Sequence, residues 1–221
     1  MGLKKKLINI FRKKSLSKRP KRLNKRSINL NEIKTAGILF DATHLISYDV
    51  VKNFLKLLNE KHIEVSVIGF INSKYLIDHY LYRKGFIFLT KKDINWYGKP
   101  DLSIVKSFID KEFDVLFDLT LDDCFPLKYI SIMSRARFKV GKFSDSNDYL
   151  DFMIDINKEK NLLLQIREEI KNEKNKNFTR LSKDEENEIE KRVEIEIELN
   201  FLINQLLYYL SLLKSNSYVV Y

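Results

Sequence analysis

The chain has 221 residues, 44% hydrophobic and 32% charged, a globular composition long enough for one sizeable core and an appendage. Its single cysteine, Cys124, excludes an intramolecular disulfide and fits a reducing, cytosolic setting, and no apolar run reaches the about 18 residues that span a bilayer. The formal net charge of +10 sits at one end: residues 1–31 hold twelve basic residues and no acidic one, leaving 28 basic against 30 acidic residues in the rest of the chain.

That arm has two parts. In LKKKLINIFRKKSL, Leu3, Leu7, Ile10 and Phe11 share one helix face, with lysines on the other. The remainder, SKRPKRLNKRS, is polar, interrupted by Pro20, and is expected to stay extended or disordered until a partner binds. The basic start lacks the apolar stretch and cleavage site of a secretory signal. Lys6 stands where a myristoylation signal has Ser or Thr.

From Ile33 the pattern alternates between strand and helix. IKTAGILFD (33–41) reads as a buried strand, VVKNFLKLLNEKH (50–62) as a helix and IEVSVIGFI (63–71) as a second strand. YLIDHYLYRKG (75–85) reads as a short helix ending at Gly85, and FIFLT (86–90) as a strand. After the loop KKDINWYGKP come a helix at 102–112, the clearest strand at 113–122 and a helix at 125–136 with Pro126 in its first turn. RFKVGKF (137–143) is the next strand, and DYLDFMIDI (148–156) an edge-like last one. Residues 157–181 are charged and rich in Asn and Lys. Ser182 and Glu185 form a capping box, from which a long helix runs to about Lys214. Ile189, Val193, Ile197, Phe201, Leu206, Tyr209, Leu210 and Leu213 fit one broad face of it, and the alternating VEIEIEL (193–199) is assigned to the helix by its capped, Glu-rich context. The fold predicted is α/β: a mostly parallel, Rossmann-like sheet flanked by helices over 32–156, with a basic N-terminal arm (1–31) and a helical C-terminal extension (157–221).

Chemistry-bearing motifs are sparse. There is no Walker loop, dinucleotide glycine fingerprint, nucleophile elbow or zinc spacing, and no cofactor or metal is expected. Asp41 and His44 lie just past the first strand's carboxyl end, where doubly wound folds bind ligands, although a satisfied loop residue is the default reading of such a His. Asp118, Asp122 and Asp123 sit in and after the strand 113–122. They suit a general base or a cation, but Asp122 or Asp123 is better explained as the cap of the helix that follows. Cys124 has no identifiable base beside it and reads as a small packed residue. Trp96, in NWYGKP, is the only tryptophan; it suits stacking on a base or sugar, or simply anchoring a turn. Arg135, Arg137, Lys139 and Lys142 read as a solvated sheet edge, or as an extension of the arm's footprint. The arm residues Lys4, Lys5, Lys6, Arg12, Lys13, Lys14, Lys18, Arg19, Lys21, Arg22, Lys25 and Arg26 are the strongest functional signal, because a charge run without counter-charge suits phosphate neutralisation.

The opening IKTAGILFD, the loop NWYGKP and the block FDLTLDDCFPLKYISIMSRARFKVG resemble a family of uncharacterised proteins from the Bacteroidetes, which implies no activity and no site residues. VLFDLTLDDCFPLKYISIMSRARFKVG is also similar to a stretch in the N-terminal domain of lipopolysaccharide heptosyltransferases. That likeness implies a Rossmann-like fold and not the transfer chemistry, which needs a second nucleotide-sugar domain.

The leading expectation is a non-enzymatic cytoplasmic factor whose arm binds RNA or the ribosome. An anionic membrane surface, for an accessory protein of envelope biogenesis, is the main alternative. A third is a small-ligand-binding enzyme at the strand ends, near Asp41, His44, Asp118 and Asp122.

Overall fold

A computed structural model describes residues 2–17, 19–20, 25–75, 85–156, 165, 183–214 and 216–217. The predicted helix at 75–85, the segment 157–181 and the Ser182 half of the capping box lie outside the described residues, 75, 85 and 165 excepted.

Six parallel strands form the sheet: β2 (Thr35–Asp41), β3 (Glu64–Phe70), β4 (Phe86–Leu89), β5 (Val115–Asp118), β6 (Phe138–Lys142) and β7 (Phe152–Ile154). Their order is β4-β3-β2-β5-β6-β7. Numbered within the sheet this is 3-2-1-4-5-6, the doubly wound Rossmann order. The strands bury both faces, as their near-continuous apolar runs require. Ile38, Phe40, Val115 and Phe117 face one core, shared with α2 (Leu45–Glu60) and α5 (Lys183–Leu212). Leu39, Ile68 and Leu116 face the other, shared with α3 (Leu102–Asp110) and α4 (Phe125–Met133).

Several ends have visible causes. β5 stops at Asp118, four residues short of the predicted end. There the Asp118 carboxylate accepts from the Thr120 amide (3.3 Å) and turns the chain out of the ladder. α3 starts at Asp101, whose carboxylate accepts from the Ser103 amide (2.9 Å). α2 is followed by His62 in the left-handed region (φ 59°), a conformation more often taken by glycine after a helix. Gly141 is demanded by packing: a Cβ there would lie 2.5 Å from the Asp118 carbonyl oxygen on β5.

Residues 193–199 are helical, inside α5. The face that helix buries is offset from the predicted one. Leu199, Leu202, Ile203, Leu206 and Leu210 enter the core, while Ile189 and Tyr209 remain exposed. The reason is that the helix packs over α2 and the sheet chiefly through its C-terminal half, while in its first half Val193, Ile195 and Ile197 are only half-buried.

The arm begins with α1 (Gly2–Leu16), as its periodicity predicts. Its far end is tied down. β1 (Arg26–Ser27) pairs antiparallel with β8 (Asn216–Ser217), and Ile28 and Leu30 are core residues. The charge boundary near residue 31 and the packing boundary near residue 25 therefore differ.

Candidate functional site

The strand order reverses between β2 and β5, and the crevice outside their carboxyl ends is the general ligand position of such sheets. Asp41 ends β2 and Asp118 ends β5. The Asp41 carboxylate accepts from the Thr43 amide (2.8 Å), holding the turn into α2. His44 is the residue before that helix and makes no capping bond with its side chain. Burial pulls the His44 pKa below its ordinary value, Lys191 of α5 adds to this, and Asp41 and Glu188 oppose it.

Asp118 is buried and accepts from the Thr120 hydroxyl (2.5 Å) and the Tyr149 hydroxyl (3.3 Å). Burial raises its pKa, and these hydroxyl bonds only partly offset the rise. The Tyr149 phenol is raised as well, by burial first and then by Asp118. Cys124 lies within the field of Asp41, Asp118 and Asp123. Burial and these carboxylates push its thiol up to about 12, so it stays protonated and unreactive at neutral pH.

The predicted capping role of Asp122 and Asp123 is not what the structure shows. The residue before α4 is Cys124, with no side-chain cap bond, and both carboxylates are exposed. Pro126 in the first turn leaves one fewer amide in need of a partner. Asp122 and Asp123 instead line a cleft of about 390 Å³ between the β5–α4 and β6–β7 connections, with Lys128, Lys142, Asn147 and Tyr149. The Lys128 ammonium donates to the Ser146 carbonyl (2.6 Å) and that of Lys142 to the Leu121 carbonyl (2.9 Å). The cleft is polar, of mixed charge and of a size that suits a small ligand. Among the described residues, no group of three or more His, Cys, Asp or Glu is arranged to hold a metal ion.

The basic cluster of the β6 region is neither a solvated edge nor a free footprint. β7 covers β6 as the outer strand. Lys139 is buried, and its ammonium donates to the Ser131 and Ile132 carbonyls at the end of α4. Arg137 reaches Asp114 (3.3 Å) and Glu112 (3.4 Å), and Arg135 lies 3.9 Å from Asp110. Lys139 is thus part of the core, while Arg135 and Arg137 pair with carboxylates at its surface.

On the arm, Lys4, Lys5, Lys6, Lys13, Lys14 and Arg19 are exposed, and α1 carries no acidic residue in its first turn. Lys18, Lys21 and Arg22 lie outside the described residues. Lys25 pairs with Asp151 (2.6 Å), and Arg26 lies 3.9 Å from Asp114. Arg12 docks α1 onto the sheet domain: its Nε donates to the Tyr97 carbonyl (2.8 Å), and its guanidinium covers the Phe125 ring at 4.4 Å. Phe11 meets Trp96 edge to face at 4.9 Å, so the structure joins the arm and the tryptophan loop, two features far apart in the chain. Trp96 belongs with the arm rather than with the cleft, whose lining does not include it.

Sequence reasoning missed Lys128, Asn147 and Tyr149, and read Lys142 only as part of the basic cluster. They come from segments with no motif, and only the pairing of β5 with β6 brings them together. No helix among the described residues is long and apolar enough to cross a membrane. No curated protein and no solved structure matches the chain. A family model covering residues 4–172 does match, spanning most of the arm and all of the sheet, and on that ground the chain belongs to the family of unknown function designated DUF6913.

Proposed function

We propose that this protein is a non-enzymatic binding factor that uses its basic arm to hold a phosphate-rich partner, with RNA or the ribosome as the first reading and an anionic lipid surface as the second. The observation that carries the proposal is the arm's exposed charge: Lys4, Lys5, Lys6, Lys13, Lys14 and Arg19 face solvent on a segment that has no acidic residue of its own. Phosphate contacts release condensed counterions, so binding should weaken steeply as salt rises. The lipid reading is favoured by exposed apolar residues beside those lysines.

Fractionating a cell lysate on a density gradient tests the proposal. Wild-type protein should travel with ribosomes or with membranes in low salt and be released in high salt. A variant with Lys4, Lys5, Lys6, Lys13 and Lys14 changed to Gln should remain at the top. Equal distribution of the two would sink it. The strand-end cleft supports a separate reading, a small-ligand site whose floor is Tyr149 on Asp118. A metabolite thermal-shift screen that raises the melting temperature of wild type but not of Asp122→Ala/Asp123→Ala would support that site.

A further inference from the structure

The face by which α1 docks takes in only the edge of its apolar stripe, where Phe11 stacks on Tyr97 at 5.8 Å. Arg12 and Leu16, one turn apart, lie against the sheet domain: Arg12 on Tyr97 and Phe125, Leu16 on the cluster of Phe125, Tyr129 and Met133. Leu7, Ile10 and Phe11, spaced three and four residues apart, form that stripe. Leu7 is 47% exposed, Ile10 60% and Phe11 41%. The stripe does not end with the helix. Phe11 touches Trp96, itself 60% exposed, so the apolar surface continues onto the loop that carries the only tryptophan. Lys4, Lys6, Lys13 and Lys14 are exposed and, by helical spacing, lie on or beside it.

Resting on the binding role proposed for the arm, we infer that Leu7, Ile10, Phe11 and Trp96 form an insertion edge for an anionic lipid bilayer. Charge alone suits RNA and lipid equally. The stripe separates them: nucleic-acid phosphates gain nothing from Leu7 and Ile10, whereas a bilayer buries aliphatic side chains below the headgroups and binds lysines at their level. Tryptophan beside a helix of this kind fits the same depth, with its ring at the boundary between acyl chains and headgroups. The helix then lies in the surface plane, held to the domain by Arg12.

The single tryptophan makes the test direct. The full chain is mixed with phosphatidylcholine vesicles, with vesicles that also contain phosphatidylglycerol, and with a structured RNA. Trp96 emission and vesicle flotation are read. The expected result is a blue shift and flotation with phosphatidylglycerol vesicles only, and a loss of partitioning of at least about tenfold in Leu7→Asn/Ile10→Asn. That variant leaves the docked face intact, so an unchanged melting temperature shows that it folds. Flotation equal to wild type in Leu7→Asn/Ile10→Asn would overturn the insertion edge. RNA binding without flotation would also overturn it, and would leave the phosphate-binding role of the arm standing. Binding to neither vesicles nor RNA would overturn both.

Discussion

Asp118 and His44 sit near the same crevice and respond to pH in opposite senses. Burial raises the Asp118 pKa in the folded state. Its favourable contribution is therefore complete below the ordinary carboxylate pKa and is lost as pH rises through the raised value. Asp118→Asn keeps an oxygen acceptor for Thr120 and Tyr149 without the charge. Urea unfolding from pH 4 to 8 should show the variant gaining on wild type as pH rises; a constant difference would contradict the assignment. Burial lowers the His44 pKa, so its contribution is present above the ordinary histidine value and fades as pH falls below it. His44→Gln should flatten that acid limb in the same titration. The sequence pattern puts Lys139 on a solvated sheet edge, yet it is buried against two helix-end carbonyls. Lys139→Ala removes those bonds and leaves a void, and should cost about 2–4 kcal/mol in denaturant unfolding.

At the scale of elements, β5 and β6 approach closely at Gly141. A Cβ at Gly141 would sit 2.5 Å from backbone on β5, which cannot rotate away as a side chain would. Gly141→Ala should therefore cost about 3 kcal/mol or more, measured by the same unfolding. No sequence pattern announces this, because the glycine's φ is ordinary and its constraint comes from a strand 23 residues away. The α1 docking contact is weaker and separable. Arg12→Ala removes one hydrogen bond and one cation–ring contact, both at the edge of the domain. Limited trypsin digestion should then cut at Lys13 and Lys14 faster, while the main thermal transition stays in place. Loss of that transition would show that α1 is integral to the core.

For the whole molecule, the arm's two boundaries have a practical consequence. Removing residues 1–31 takes away Ile28, Leu30 and the Lys25–Asp151 pair, along with the exposed lysines. Removing residues 2–19 takes only α1 and the turn after it. The shorter deletion should keep cooperative unfolding and lose salt-dependent binding, and the longer one should lose both. Calorimetry of the two deletions separates an arm that binds from an arm that folds. Binding unchanged in the shorter deletion would place the function in the strand-end cleft instead.

The alternation of apolar runs with amphipathic stretches was enough to place every described strand and helix of the sheet domain, because 2.0 and 3.6 periodicities are local properties of the chain. It also placed Asp41 at the end of the first strand and His44 just past it, but left Asp118 inside a strand that in fact ends there. The segregation of twelve cations into the first 31 residues is likewise a property of sequence alone. What needed the tertiary structure were the relations between distant segments: that Lys139 is buried, that Lys128 and Lys142 share a cleft with Asp122 and Asp123, and that Trp96 lies against Phe11. Burial and proximity depend on strand order and helix docking. A helix pattern states which residues form a stripe, but only the packed fold decides whether that stripe is covered or, as on α1, left facing outward.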